Sequence, residues 1–195
     1  MSGLRPAVFL DRDGTLNIDA GYLDRKERLM LFPWSLDSVR LLRRAGYAVV
    51  VVTNQSGVGR GMIEESFVEE VHQIIQSRLV DIGEKLDGHY YCPHEPSASI
   101  EAFRVDCDCR KPKPGLVTRA ARDLGLDVER SIVVGDKWSD IGLAKQTGAR
   151  GVLVRTGYGR SQEKNRQEGL SADAVVDTLM DAVNWILLHP VNASQ

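Results

Sequence analysis

Aromatic residues and cysteines are scarce in this sequence, and long apolar runs are missing. Aromatics make up 6% of the 195 residues, and there are three cysteines. No stretch approaches the roughly 20 apolar residues of a membrane-spanning helix, and the first residues lack the apolar core of a signal peptide. The formal charge of -2 gives no electrostatic reason to expect nucleic acid or a membrane as a partner. We therefore expect a cytoplasmic protein with reduced thiols, where clustered Cys and His indicate metal.

The remaining composition is typical of one globular domain. Hydrophobic residues account for 43% of the chain and charged residues for 27%. A chain of this length can bury a sizeable core, and one domain is the usual outcome. We expect a single domain over residues 1–189 and a tail over residues 190–195.

Apolar runs alternate with helical periodicity along the chain. The runs predict strands at Ala7–Leu10, Ala48–Thr53, His89–Tyr91, Ser131–Gly135, Gly151–Arg155 and Ala174–Val176. Nearly continuous apolar strands are typical of a parallel sheet that is covered on both faces. The pattern predicts an α/β fold with a doubly wound, Rossmann-like parallel sheet flanked by helices.

Local signals predict where several helices begin and end. Ser35 and Ser66 are the expected N-caps, and Gly46 and Gly83 are the expected stops. The polar segment 160–169 is predicted to be a loop before a last strand and helix.

Two carboxylates, Asp11 and Asp13, follow the first predicted strand. Side chains alternate along a strand, so both can start on the same side, and Gly14 allows a sharp turn after them. Such close carboxylates repel unless a cation sits on one while the other serves as an acid or base. A strand end with solvated acids is the alternative.

Further polar residues collect at the ends of other predicted strands. Thr53, Asn54, Gln55 and Ser56 follow the second strand, Asp136, Lys137 and Asp140 follow the fourth, and Lys111 precedes a helix predicted to begin near Pro114. Ligands of open parallel sheets bind at the carboxyl ends of the strands. The sequence therefore predicts that these groups converge on one edge.

A separate metal site is indicated by Cys92, His94, Cys107 and Cys109. Three thiolates and one imidazole are a complete tetrahedral set for structural zinc, with no position left for catalysis. Zinc would order the loop 92–109 and place Arg110 and Lys111 beside the catalytic edge. Three unrelated thiols and a surface histidine are the alternative. His72, His89 and His189 lack such partners, and we expect core or surface roles for them.

In the order of its motifs the chain resembles the haloacid dehalogenase superfamily of aspartate-dependent phosphatases. The matching segments are Asp11-x-Asp13-Gly-Thr15, Thr53-Asn54, Lys111-Pro-x-Pro114 and Gly135-Asp136-x-x-x-Asp140. The resemblance implies that Asp11 is the nucleophile and Asp13 the general acid and base. It further implies that Thr53 and Lys111 hold phosphoryl oxygens. A catalytic Mg²⁺ would sit between the Asp11 carboxylate, the Asp13 backbone carbonyl and Asp136.

Within that superfamily the chain is most similar to the D-glycero-D-manno-heptose 1,7-bisphosphate 7-phosphatases, which make a precursor of bacterial lipopolysaccharide. The longest matches are residues 9–17, 52–57, 90–94, 107–112 and 153–157. The resemblance implies substrate contacts by Asp19, Ala20, Gly21, Tyr22, Asn54, Gln55, Ser56, Arg110 and Lys137. A larger polar residue such as His is common at position 20 in relatives. The implied partner is a small sugar bisphosphate, bound by a monomer.

Three other functions are compatible with parts of the sequence. Histidinol-phosphate phosphatases share the zinc loop, but they usually have a shorter spacer between the zinc pairs and no Gly-Tyr after the first motif. A phosphomutase or phosphotransferase needs water excluded, usually by a cap, and the short connections here predict no large cap domain. A non-catalytic zinc-organised interaction module leaves the aspartates and Lys111 without a purpose.

Overall fold

The structure is a computed structural model that describes residues 4–190. Six strands form one sheet: β1 (Arg5–Leu10), β2 (Ala48–Asn54), β3 (Gly88–Cys92), β4 (Leu126–Gly135), β5 (Arg150–Val154) and β6 (Ala174–Val176). All pairings are parallel, in the order β3-β2-β1-β4-β5-β6. This is the order of a doubly wound α/β fold, as predicted.

Seven α-helices connect or follow the strands. They are α1 (Ser35–Arg44), α2 (Ser56–Gly59), α3 (Glu65–Val80), α4 (Gly115–Leu124), α5 (Trp138–Thr147), α6 (Gly159–Lys164) and α7 (Leu179–Leu188). Two short 3-10 helices lie at Lys26–Arg28 and Glu101–Phe103. The connections after β1 and β3 thus hold loops, 3-10 turns and one helix each, and the predicted absence of a large cap domain is confirmed.

The core consists of two layers because alternate strand residues face opposite sides of the sheet. Val8 and Leu10 of β1 pack in one layer with α1, α3 and α7, whereas Ala7 and Phe9 pack in the other with α4 and α5. These four side chains are fully buried. Both faces are therefore covered, which explains why the strands read as continuous apolar runs.

All six predicted strands are present, with small differences at their ends. The largest difference is in β4, which begins at Leu126 instead of Ser131. Its first residues pair with Arg5 and Pro6, and the register shifts between Pro6 and Val8. Residues 126–130 are too polar for their sequence to predict a strand. They form one because they pair with β1.

Three predictions about helices were wrong. Ser35 does not cap α1, because it is the first residue of the helix with Trp34 as its N-cap, and its hydroxyl donates to the Leu16 carbonyl at 2.6 Å. Ser66 does not cap α3, because the helix begins at Glu65 with Glu64 as its N-cap. Part of the predicted loop 160–169 belongs to α6. Only Gly159 of this helix is buried, so its mostly polar residues show no apolar pattern that would predict a helix. Gly46 and Gly83 do lie just after helices, with φ of 91° and 76°.

Two further expectations concern membrane-spanning helices and the C-terminal tail. None of the helices between residues 4 and 190 has the length and apolar character needed to cross a membrane. The predicted tail lies almost entirely outside the described residues, so the division at residue 190 stays a prediction.

Candidate active site and metal centres

The carboxyl ends of the central strands bring the predicted catalytic residues together. Leu10 pairs with Val51 of β2 and Val134 of β4, so the three central strands run in register up to the same edge. The backbone N–H of Asp11 continues the ladder by donating to the carbonyl of Val134 at 2.9 Å. Because the strands end together, the residues that follow them share one cavity.

Lys111 lies at the centre of this edge, between two carboxylates. Its Nζ is 2.9 Å from Asp11 Oδ1 and 2.6 Å from Asp140 Oδ1, and it donates to the Val52 carbonyl at 2.9 Å. Burial alone would lower the pKa of Lys111, but the charges of Asp11 and Asp140 raise it above its usual range. Lys111 is therefore a fixed positive charge beside the predicted nucleophile.

The loop that carries Lys111 is held by Asn54. The Asn54 amide donates to the Lys111 carbonyl at 3.2 Å, and its side-chain oxygen accepts from the Lys111 N–H at 3.0 Å. These two hydrogen bonds join the end of β2 to the backbone of Lys111, as pairing with a neighbouring strand would. The Asn54 side chain contributes to the site at least by positioning Lys111.

Asp136 lies fully buried in a cradle of backbone. Its Oδ2 accepts from the Tyr158 N–H at 2.7 Å. A Cβ at Gly14 or at Gly157 would lie 2.3 Å or 2.2 Å from that same oxygen, and both residues have positive φ, so glycine is needed at both positions. The other oxygen, Oδ1, has no hydrogen-bond partner among residues 4–190, and the Lys137 ammonium is 3.8 Å from it.

The donor set of Asp11, Asp136 and Asp140 fits a hard divalent cation. One oxygen of each lies within 4.8 Å of the others. Burial first, and then the charge of Asp11, raises the pKa of Asp136 to about 8. A cation would remove that penalty and supply the missing partner of Oδ1. Asp140 is already used by Lys111 and by the Lys137 N–H at 3.1 Å, which leaves Asp11 and Asp136 as the carboxylates available to Mg²⁺.

Asp13 lies beside Asp11 but has different neighbours. Its carboxylate accepts from the Asn17 amide at 2.9 Å, from the Gln55 amide at 2.9 Å and from Arg12 at 2.8 Å. Burial opposes ionisation, but the charge of Arg12 and these hydrogen bonds lower the pKa of Asp13 below its usual value. Two neighbouring carboxylates are thus kept in separate environments, one beside lysine and one beside arginine.

These groups line a cavity of about 290 Å³, the lower end of the range for small-molecule sites. Eleven of the predicted site residues line it: Asp11, Asp13, Asp19, Gly21, Tyr22, Thr53, Asn54, Gln55, Ser56, Lys111 and Lys137. Leu23, Gly57, Ile63, Ser139 and Tyr158 line it as well. Sequence reasoning missed these five, although Tyr158 directly follows a segment that matches the heptose phosphatases.

The other predicted substrate residues lie around the cavity. The Ala20 carbonyl accepts from Arg28 at 2.7 Å, and the Ala20 side chain does not line the cavity. Asp19 caps the turn by accepting from the Gly21 N–H at 2.7 Å, and it lies 3.6 Å from the Lys137 ammonium. The Lys137 ammonium is also 4.6 Å from the centroid of the Tyr158 ring. These contacts hold a second ammonium group, that of Lys137, in the lining of the cavity.

Arg110 lies outside the lining of the cavity in this structure. Its guanidinium is 2.6 Å from a Glu95 carboxylate oxygen and donates to the His94 carbonyl at 2.9 Å. Glu95 and His94 both belong to the predicted zinc loop, so the loop determines the orientation of Arg110.

The four predicted zinc ligands converge at one point. His94 Nδ1 lies 3.2 Å from Cys109 Sγ, and Cys92 Sγ lies 3.1 Å from Cys109 Sγ and 3.6 Å from Cys107 Sγ. These separations are too long for disulfides, and the three cysteines are free. They are close to the roughly 3.3–3.8 Å between ligands of a tetrahedral zinc with ~2.3 Å zinc–sulfur and ~2.0 Å zinc–nitrogen bonds. The four residues therefore fit zinc.

Comparison with known proteins gives one family match and many relatives. Residues 108–182 match a family described as HAD-hydrolase-like. A Salmonella typhi protein named D-glycero-beta-D-manno-heptose-1,7-bisphosphate 7-phosphatase is 44% identical over 178 residues, which cover 90% of this chain and 92% of the relative. An Escherichia coli protein of the same name is 43% identical over 178 residues, covering 90% and 91%.

A solved structure is also similar along nearly the whole chain. It is the D,D-heptose 1,7-bisphosphate phosphatase of B. bronchiseptica, complexed with magnesium and phosphate. Its TM-score is 0.83 at 31% sequence identity, with 94% of this chain and 98% of that chain covered.

Proposed function

The chain belongs to the heptose 1,7-bisphosphate 7-phosphatase family of haloacid dehalogenase-like hydrolases, and on that basis we propose that it removes the C7 phosphate of D-glycero-D-manno-heptose 1,7-bisphosphate. The observation that carries the proposal is the buried contact between Asp11 and Lys111, at 2.9 Å, on the wall of a cavity that is also lined by nine other residues predicted to belong to the site. The name of the relatives specifies the β anomer, which we propose as the preferred substrate.

The first half of the reaction forms an aspartyl phosphate. A carboxylate oxygen of Asp11 attacks phosphorus while the bond from phosphorus to the sugar C7 oxygen breaks, and Asp13 gives its proton to that leaving oxygen. The Lys111 ammonium and the Thr53 hydroxyl stabilise the charge on the equatorial phosphoryl oxygens. The Thr53 oxygen accepts from Gln55 at 2.9 Å, so its own O–H is free to donate to phosphate.

The second half releases the phosphate. The Asp13 carboxylate takes a proton from a water molecule as the water oxygen bonds to phosphorus, and the bond from phosphorus to Asp11 breaks. Asp11 is regenerated as a carboxylate and inorganic phosphate leaves. The contacts of Asp13 with Asn17, Gln55 and Arg12 favour the carboxylate that this half needs.

Asp11, the Asp13 backbone carbonyl and Asp136 would hold Mg²⁺. The unpartnered, fully buried Oδ1 of Asp136 supports this assignment. When bound, Mg²⁺ neutralises charge so that a carboxylate can approach an anionic phosphate. Zinc held by Cys92, His94, Cys107 and Cys109 would have a structural role, because four protein ligands leave no position for substrate.

The distal C1 phosphate is proposed to bind Arg110, with Lys137 assisting. Arg110 uses its contacts with Glu95 and His94 for orientation and keeps further N–H donors for an anion. Arg110→Ala should lower kcat/KM for the bisphosphate far more than for a monophosphate, which has no second phosphate to lose. Arg122→Ala is the control, because its side chain is 75% exposed on α4 away from the cavity. Equal losses for both substrates would contradict this role of Arg110.

A phosphate-release screen tests the proposed activity. Purified protein with Mg²⁺ should hydrolyse heptose 1,7-bisphosphate, the β anomer faster than the α anomer, in preference to histidinol phosphate and common sugar phosphates. Preference for histidinol phosphate would reject the proposed substrate but keep the aspartyl-phosphate chemistry. We further propose that the enzyme acts in the cytoplasm as a monomer, supplying heptose for lipopolysaccharide.

A further inference from the structure

Arg12 is a buried arginine to which neither the motifs nor the comparisons assign a role. Its side chain is 2% exposed, and its Nη2 lies 2.8 Å from Asp13 Oδ2 while its Nε lies 3.3 Å from Asp13 Oδ1. The guanidinium thus grips both oxygens of one carboxylate. This two-point geometry restricts rotation of the carboxylate more than a single contact would.

Gln55 connects this pair to the rest of the site. Its Oε1 accepts from Arg12 Nη2 at 3.0 Å, and its Nε2 donates to Asp13 Oδ2 and to Thr53 Oγ1, both at 2.9 Å. Gln55 is 4% exposed. Arg12, Gln55, Asp13 and Thr53 therefore form one closed network in which every member has a fixed neighbour.

The surroundings of Arg12 give it no other acidic partner. Asp13 is its one ion-pair partner within residues 4–190, and its Nη1 is buried there without a hydrogen-bond acceptor. Burial first, and then nearby charges that include Arg12, lower the pKa of His72 and of His89 and keep both rings neutral. A buried ion pair is weak evidence for a role in stability, since apolar residues often do as well. The geometry instead connects Arg12 to the position of Asp13.

We infer that Arg12, supported by Gln55, is a positioning residue that aims the Asp13 carboxyl group at the leaving oxygen of the substrate. The inference rests on the proposed aspartyl-phosphate reaction. Arg12 does not line the cavity, whereas Asp13, Gln55 and Thr53 do, so Arg12 acts through its neighbours without touching the substrate.

The leaving group distinguishes this role from a general structural one. When a sugar alkoxide leaves, the bond from phosphorus to oxygen breaks as Asp13 transfers its proton to that oxygen, so a misplaced Asp13 slows the step. When p-nitrophenolate leaves from p-nitrophenyl phosphate, the same bond breaks without a proton, because the phenolate is already stable. Up to release of the leaving group, the part of the reaction that kcat/KM reports, only the reaction of the sugar phosphate depends on where Asp13 points. Hydrolysis of the aspartyl phosphate also uses Asp13, but that step is the same for both substrates.

The test compares Arg12→Met with wild type on heptose 1,7-bisphosphate and p-nitrophenyl phosphate. General acid catalysis contributes about 10²–10⁴-fold, so kcat/KM for the sugar bisphosphate should fall at least about tenfold more than for the aryl phosphate. The loss should appear in kcat with KM little changed, and Arg12→Lys should recover part of it. Arg150→Met is the control, since Arg150 lies at the start of β5 against Trp185 and outside the cavity.

The outcomes separate this inference from the proposed function. If wild type hydrolyses both substrates and Arg12→Met lowers kcat/KM equally for both, the positioning role is wrong. The proposed function is unaffected by that result. If wild type hydrolyses neither substrate, the proposed function fails first. Should Arg12→Met fail to fold, Gln55→Leu removes a neutral part of the same network and should show the same dependence on leaving group. An equal loss of kcat/KM for both substrates in Gln55→Leu would again overturn the inference.

Discussion

Asp11 and Lys111 show how one contact serves both folding and chemistry. A lysine that is 4% exposed would be costly without partners, and Asp11 and Asp140 supply them. Because Asp140 holds the lysine independently, the positive charge beside the proposed nucleophile persists when Asp11 changes. Replacing Asp11 with a neutral residue is therefore expected to leave the structure of the site intact but to abolish its activity.

Asp11→Asn should abolish turnover and leave the fold intact. An amide has nearly the shape of the carboxylate but cannot attack phosphorus, and the contact between Lys111 and Asp140 remains. Steady-state phosphate release and circular dichroism measure the two effects. Asp37→Asn, at an exposed acid paired with Arg40 on α1, is the matched control and should keep its activity. Activity in Asp11→Asn close to that of wild type would remove the nucleophile assignment.

Residues that follow strands could be predicted to share a site, whereas residues that act through neighbours could not. Asp11 and Asp136 directly follow β1 and β4, Thr53 is the penultimate residue of β2, and a parallel sheet brings such positions together. Arg12 is next to Asp13 in sequence, but nothing in the sequence tells that its charge turns inward onto Asp13. The support that Tyr158 gives Asp136 likewise depends on a loop that approaches from β5.

The zinc loop is a segment whose order depends on a few side chains. Residues 93–109 contain one 3-10 turn and no strand, and their buried apolar side chains are those of Pro93 and Ala98. The loop nevertheless orients Arg110 and precedes Lys111. A metal that joins its two ends would replace the core that the loop lacks.

Cys107→Ser or Cys109→Ser should lower both the stability of the protein and its activity. Structural zinc sites contribute on the order of 10 kcal/mol to folding of small domains, so loss of one ligand should disorder the loop. Metal analysis should give about one zinc per wild-type chain and less in either variant. Val105→Ser, at a half-exposed loop position that does not ligate, should keep zinc and activity. Active wild-type protein without zinc would contradict this account.

The elements themselves were predicted best where burial dictates the pattern. β1, β2 and β5 lie close to their predicted limits because apolar runs buried on both faces of a sheet are easy to recognise. The partly buried strands β3 and β6 lie close to their predicted limits as well. The start of β4 and the helix α6 were missed, because their residues are mostly partly or fully exposed and their backbone follows the pairing with β1 and the turn after β5. Tertiary context decided these two segments.

The packing of α3 on β3 predicts a dependence of stability on pH. His72 and His89 stack with ring centroids 3.8 Å apart. Burial, and then nearby charge, lowers the pKa of His72 to about 4 and that of His89 to about 2. The unfolded chain binds protons near pH 6.5, where the folded protein does not, so stability falls as pH decreases from about 6.5 toward 4.

Thermal unfolding between pH 4 and pH 8 checks this dependence. His72→Gln should reduce the loss of stability below about pH 6.5, because one of the two imidazoles that resist protonation is removed. His189→Gln, at an exposed histidine after α7, controls for the loss of an imidazole as such. An unchanged slope in His72→Gln would show that other groups cause the acid sensitivity.

Taken together, the fold places a charged, open cavity at one edge of the sheet. Within residues 4–190 no cap domain encloses the cavity, and we expect selection among substrates to depend on Tyr22 and Lys137 in its lining and on Arg110 outside it. A ligand with two phosphates matches this distribution of charged residues. One phosphate would lie beside Asp11 and Lys111, and the other would lie near the rim of the cavity. The central claim is therefore the identity of the phosphate that is removed.

Phosphorus NMR of the product tests that claim most directly. Heptose 1,7-bisphosphate incubated with the enzyme and Mg²⁺ should lose the C7 resonance, gain one of inorganic phosphate, and keep the C1 phosphate as heptose 1-phosphate. Loss of the C1 phosphate with the C7 phosphate retained would contradict the account.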